Sequence, residues 1–192
     1  FLTTIAGFMV PVIGSERSGR RVYDSFSSSP KWLRETVLYK GEKLHEVDAK
    51  CLHPNLASSI YGGSGEMITH EKIAKHLNMN VKEAKIENLS FFNKPINSMK
   101  KSPLFEYYAD NETVMLNNIL ADKSKNGYKI TSVRMATLEV KVMSELIESI
   151  NEKEIYCLYT FDAISVLKKH LNKSIEYMNK ALKNNNVNTI AK

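Results

Sequence analysis

The apolar period of the chain changes once between residues 131 and 167, and that change constrains the fold more than any other feature of the sequence. Over residues 131–150, Met135, Leu138, Val142, Leu146 and Ile150 recur at helical spacing and predict one long amphipathic helix. Residues 154–161 then turn aromatic and β-branched, and residues 164–167 resume that character after Asp162-Ala163. Two short apolar runs around a single Asp predict a hairpin with a carboxylate at its tip. The chain mixes helices and strands without regular βαβ alternation, so the expected class is α+β.

The rest of the sequence divides at its own punctuation. Residues 15–29 are polar and loop-like, and Ser29-Pro30 predicts a helix start, with Ser29 as cap and Pro30 in the first turn. Trp32, Leu33 and Val37 would form the apolar side of that helix, and Gly41 would end it. Residues 44–52 read as a strand and residues 54–61 as a short helix, before the break at Gly62-Gly63-Ser64-Gly65. Thr69 predicts a cap for a helix reaching Leu77, and Asn80 with Glu83 has the form of a capping box. The helix after Asn80 would carry Ala84, Lys85, Leu89 and Phe92, with Phe91 and Phe92 packing it into the core. Pro95 and Pro103 punctuate the next stretch, and helices are expected over residues 114–120 and 170–182. The Asn-rich stretch 184–188 is expected to be a disordered polar tail, and the apolar residues 1–14 a buried segment of a chain that began upstream.

Composition removes several classes of function. The chain has 192 residues, long enough for one large domain or two small ones, and no apolar run approaches the roughly 20 residues of a membrane helix. Two cysteines, Cys51 and Cys157, exclude a disulfide scaffold and a four-cysteine zinc site, and point to a reducing, cytoplasmic setting. Lys and Arg exceed Asp and Glu by 27 − 21 = 6, which permits a nucleic-acid partner. His70-Glu71 opens like a zinc-protease helix, but Ala74 stands where the second His belongs and His76 is off that face. The glycine cluster lacks the Lys-Ser/Thr of a phosphate loop, and no local signature marks a Cys–His nucleophile pair.

One constellation survives. Asp48 sits in an otherwise apolar strand just before a helix, and Asp162 sits at the tip of the apolar hairpin. A buried carboxylate is costly unless it is paired or bound to a cation. Two carboxylates converging from separate strands suit two-metal phosphoryl transfer, with Mg²⁺, or Mn²⁺ in its place, as the hard ions.

Around those residues the sequence resembles the palm and fingers of family A DNA polymerases and the related single-subunit phage-type RNA polymerases, in the style of small phage and plasmid members. Ser18-Gly19-Arg20 resembles the Thr-Gly-Arg ahead of the palm, and Arg21, Tyr23, Pro30, Leu33 and Arg34 resemble the opening of the small members. Glu46-Val47-Asp48-Ala49-Lys50-Cys51-Leu52-His53-Pro54 resembles motif A, Lys82-Glu83-Ala84-Lys85 with Leu89, Phe92 and Asn93 resembles motif B, and Leu158-Tyr159-Thr160-Phe161-Asp162-Ala163 resembles motif C. The pattern departs from the family at Phe161, where it has His, at Ala163, where DNA polymerases often have Glu, at Val81, where it has Arg, and at Asn93, near the absent Tyr-Gly.

The resemblance implies a palm over residues 1–62 and 131–192, with an antiparallel sheet and catalytic hairpin, and a reduced helical fingers insertion over residues 63–130. No thumb is visible upstream of Ser18, so another polypeptide is a candidate to supply one. It implies a nucleotidyltransferase, a DNA polymerase first, with RNA polymerase or primase-like activity and a degenerate binding module as alternatives. Asp48, Asp162 and the Ala49 carbonyl would hold two Mg²⁺, and Lys85, Lys82 and His70 would bind the nucleoside triphosphate. His53 stands at the sugar gate and, being bulkier than Gly, favours deoxynucleotides. Arg20, Arg34, Arg134 and Asn93 would touch the DNA primer and template.

Overall fold

The computed structural model describes residues 11–192. Strand β1 (Val12–Ile13) pairs antiparallel with β2 (Val22–Tyr23). Helix α1 (Lys31–Arg34) leads to β3 (Leu38–Tyr39) and β4 (Glu42–Asp48). Six helices come next: α2 (Leu52–Tyr61), α3 (His70–His76), α4 (Val81–Phe91), α5 (Ile96–Met99), α6 (Leu104–Asn111) and α7 (Thr113–Asn126). The long α8 (Ile130–Asn151) then feeds β5 (Cys157–Thr160), β6 (Ala163–Leu167) and α9 (Leu171–Asn184). The main sheet is antiparallel in the order β3-β4-β6-β5, so the class is α+β. Among the described residues, no helix is long and apolar enough to cross a membrane.

The local signals work where they are strongest. Thr69 accepts a hydrogen bond from the Lys72 amide, and Asn80 and Glu83 close a reciprocal box at the start of α4. In α8, Met135, Val142, Leu146 and Ile150 are buried, each fully buried aliphatic side chain contributing roughly 1.5–3 kcal/mol. Phe91 and Phe92 are buried against Tyr108, with ring centroids 5.0 and 5.6 Å from it. Behind them Lys123 is buried, and its ammonium donates to the carbonyls of Phe92 (2.8 Å), Lys94 (2.9 Å) and Tyr128 (2.6 Å).

Three expectations need correction. The helix predicted from Ser29-Pro30 to Gly41 is one turn long: Pro30 is its cap, the Ser29 hydroxyl bonds the Ser25 carbonyl, and Trp32 is exposed. Gly41 ends no helix. Lys40 and Gly41, at φ 52° and 81°, form a two-residue hairpin turn that sets the Tyr39–Glu42 register. The Asn-rich end is ordered and packed, with Asn185, Val187, Thr189 and Ala191 buried. Most of the apolar start, residues 1–10, lies outside the described residues, and its neighbours Val12 and Ile13 are exposed.

Candidate active site

Strand register brings the two carboxylates together. Asp48, the last residue of β4, stands opposite Ala163, the first residue of β6, so Asp162 is the immediate neighbour of that pair. Asp162 occupies a two-residue turn between Thr160 and Ala163, and the turn's other residue, Phe161, has φ 51°. A bulky residue in the left-handed region is strained, and such strain persists where the surroundings over-determine it. Phe161 is held by Tyr23 and Tyr159 at ring-centroid distances of 5.4 and 6.3 Å, and by the Arg21 guanidinium 5.4 Å above its ring. On the other side, β4 turns sharply into α2 through Cys51, also left-handed at φ 50°.

A cavity of about 190 Å³ opens at this end of the sheet, and Asp48, Ala49, Asp162, His53, His70 and Lys85 all line it. The end of β4 supplies Asp48, the β5–β6 turn supplies Asp162, α2 supplies His53, α3 supplies His70 and α4 supplies Lys85.

Both carboxylates of the cleft are held above their ordinary range. Burial, and then the charge of Asp162, push the Asp48 carboxyl up to about 6. Burial likewise raises Asp162, and Glu139 adds to it, while His53 and Arg21 oppose the rise. Two carboxylates that both resist ionisation gain from a cation placed between them. Burial lowers His70, and Lys85 lowers it further. Its Nδ1 lies 3.2 Å from the Cys51 sulfur, so the fold does assemble a Cys–His contact. Burial pushes the Cys51 thiol up, away from the thiolate a nucleophile requires.

Other candidates fall elsewhere. Lys82 is exposed in the first turn of α4 and does not line the cavity. Arg20 is exposed and paired with Glu16 at 2.9 Å. Arg34 donates to the Ser29 carbonyl and lines a separate shallow cleft with Lys43 and Glu46. Arg134 grips Asp122 at 2.7 and 3.1 Å and holds that carboxyl down to about 2. Asn93, bonded to the Ser132 hydroxyl, lines an adjoining cleft of about 310 Å³ that shares His53 with the first.

Two residues at the site escaped the sequence reading. Glu139 is 0% exposed on α8, held by Arg21 through two bonds of 2.7 and 2.6 Å, with His53 Nε2 at 3.6 Å. Burial alone would raise the Glu139 carboxyl, but the nearby His53 ring and the two bonds from Arg21 keep it below its ordinary value. The turn that aims Arg21 needs Gly19, whose φ is 65° and where a Cβ would meet the Ala136 backbone at 2.4 Å. A signal for Glu139 was available, since it falls inside the apolar stripe between Met135 and Val142. The other residue is Asn88, 2% exposed, which takes the Tyr108 hydroxyl on its oxygen at 3.2 Å. Its Nδ2 has no partner among the described residues, and Asn88 lines both clefts. Such an orphaned donor is rare in a folded interior.

The donor set fits a hard divalent ion. Among the described residues no three His, Cys, Asp or Glu side chains gather into a metal cluster. Mg²⁺ is usually held by one or two carboxylates together with substrate oxygens and water, and two carboxylates are what the cleft presents. The strap at residues 190–192 bonds the Asp48 carbonyl and the Lys50 amide and makes no bond to the Ala49 carbonyl between them.

No family model matches the sequence, and no curated protein matches it. Among solved structures the chain is similar to the polymerase domain of Pol1 from M. smegmatis, determined in complex with DNA primer-template and dNTP. The TM-score is 0.62 at 10% sequence identity, over 91% of this chain and 45% of that one. The chain thus spans less than half the length of that relative. The fold is that of a reduced polymerase palm with an attached helical region.

Proposed function

We propose that this chain is a template-directed nucleotidyltransferase of the family A polymerase type, acting on a DNA primer-template with deoxynucleoside triphosphates. The observation that carries this reading is the single cleft in which Asp48 at the end of β4 and Asp162 in the adjoining β5–β6 turn share space with Lys85 from α4.

In the reaction, the primer 3′-hydroxyl oxygen bonds to the α-phosphorus as the bond from that phosphorus to the bridging oxygen breaks. The hydroxyl proton passes to solvent, and pyrophosphate leaves. Asp48, Asp162 and the Ala49 carbonyl would hold Mg²⁺, which when bound supplies charge neutralisation to the attacking and leaving oxygens. The chain contributes positioning and electrostatics, the main terms in phosphoryl transfer. Lys85 faces the phosphates with a mobile point charge, and His70, kept neutral by burial and nearby lysines, can exchange a hydrogen bond with them. His53, steadied by Glu139, crowds the position of the sugar and favours deoxyribose.

The test is primer extension on a short labelled template with Mg²⁺ or Mn²⁺, with dNTPs and rNTPs in separate reactions. Extension with dNTPs that is lost in both Asp48→Asn and Asp162→Asn supports the reading. Extension unchanged in either variant sinks it.

A further inference from the structure

Residues 187–192 form a strap along the catalytic strand. The Asp48 amide donates to the Lys192 carbonyl (3.1 Å), the Lys192 amide donates to the Asp48 carbonyl (2.9 Å), and the Lys50 amide donates to the Ile190 carbonyl (2.9 Å). Ala49 stands opposite Ala191 in an antiparallel bridge. Side chains reinforce the pairing: the Thr189 hydroxyl donates to the Lys50 carbonyl, and the Asn179 side-chain oxygen accepts from the Ala191 amide at 2.8 Å. Val187, Thr189 and Ala191 are 3%, 7% and 8% exposed, whereas Asn188, Ile190 and Lys192 are exposed. The strand-like pairing is confined to residues 190–192, because the Thr189 amide turns back to the Val187 carbonyl at 3.0 Å.

The strap therefore sets Lys192 beside Asp48 by backbone register, and Lys192 lines the catalytic cleft. Three lysines line that cleft. Lys50 is engaged by Glu71 at 3.4 Å, but neither Lys85 nor Lys192 has an ion pair among the described residues. One stands on α4 and the other on the strap, so the cleft carries two uncommitted ammonium groups from separate elements above a pair of carboxylates. A ligand that meets both a divalent cation and two ammonium groups is a polyanion with hard oxygens.

We infer that the strap is an added strand of the sheet that delivers Lys192 to the phosphate chain of the incoming nucleotide, sharing it with Lys85. This rests on the nucleotidyltransferase reading and adds a binding residue to it.

The test measures binding of inorganic tripolyphosphate and of a dNTP by calorimetry in Mg²⁺, for the parent chain, Lys192→Ala, Lys192→Arg and the surface control Lys180→Ala. Loss of one charge-assisted contact predicts affinity about 10- to 100-fold weaker for Lys192→Ala. Lys192→Arg is expected to retain most of the affinity, and Lys180→Ala all of it. Equal affinities for the parent chain and Lys192→Ala overturn the inference while leaving the polymerase reading intact. If the parent chain binds neither ligand and extends no primer, the polymerase reading fails and the inference falls with it.

Discussion

The helical region and the open end of the sheet treat their charged groups in opposite ways. In the helical region Lys123 gives its ammonium to three carbonyls, and buried Glu112 accepts from the Ser64 amide and hydroxyl, both at 2.7 Å. Each charge is matched within the fold. At the sheet end, Asp48 and Asp162 are both pushed toward protonation; Asn88, which lines the same cleft from α4, has a donor without a partner among the described residues, as do the buried Thr131 and Ser174 hydroxyls elsewhere. Carboxylates held above their ordinary range in a cleft are a recognised mark of a functional site. Lys123 and Glu112 are matched as folded, whereas the two carboxylates at the sheet end are left raised.

If that contrast holds, removing a charge should be harmful in one region and tolerated by the fold in the other. The largest expected effect is catalytic: Asp48→Asn and Asp162→Asn should each lower primer extension by about 10²–10³-fold or more, with thermal stability kept. A variant that loses its fold along with its activity would erase the contrast. Next in size is Lys123→Met, which removes the donor shared by three carbonyls and should destabilise the chain by about 2–4 kcal/mol. Urea unfolding reads this directly, and an unchanged midpoint would mean that the helical region is less well matched than its geometry implies.

The cleft should show the opposite sign. With a folded-state value of about 6 against an ordinary 3.8, Asp48 keeps its proton longer when folded than when unfolded. Between those values the folded state binds more protons, so stability falls as pH rises from about 4 to 6, and the loss persists above that. Asp48→Asn removes the ionisation and should stabilise the divalent-free chain at pH 7 by about 1–2 kcal/mol, after discounting for the partial exposure of the group. Melting curves at pH 4 and 7, with and without Mg²⁺, check this. The advantage of the variant should shrink at pH 4, and added Mg²⁺ should stabilise the parent chain more than the variant.

How much of this could be read from the sequence depends on the range of each interaction. The caps at Thr69 and Asn80 are settled within a few residues, and the period of α8 within one element, so both were legible. Asp48 and Asp162 were legible because a single carboxylate in an apolar strand is conspicuous. Residues 31–41 misled because Trp32, Leu33 and Val37 imitate a helix face, while the hairpin turn depends on Lys40 adopting a conformation uncommon for lysine. The strap was unreadable for a different reason. Its buried positions, Val187, Thr189 and Ala191, are of modest size and alternate with an exposed apolar Ile190, and its partner Lys50 lies 139 positions away. Glu139 showed as a charge in an apolar stripe, but Arg21, the partner that explains it, is 118 positions distant.

The smallest predicted effect concerns His53, where the two kinds of environment meet. It lies in the cleft of the two raised carboxylates, yet Glu139, itself fully matched by Arg21, stands 3.6 Å from its ring. If His53 gates the sugar by bulk, His53→Gly should admit ribonucleotides and shift the dNTP/rNTP ratio of kcat/KM toward rNTPs by about 10-fold, the scale available to steric discrimination in a pocket. His53→Glu keeps the bulk but sets a second carboxylate against Glu139. It should retain the deoxynucleotide preference while losing stability, because a buried carboxylate facing a like charge has no compensation. A ratio that moves in neither variant removes His53 from sugar selection. A shift in Glu139→Gln equal to that in His53→Gly would instead show that the position of the ring, held by the buried Glu139 beside it, matters as much as its size.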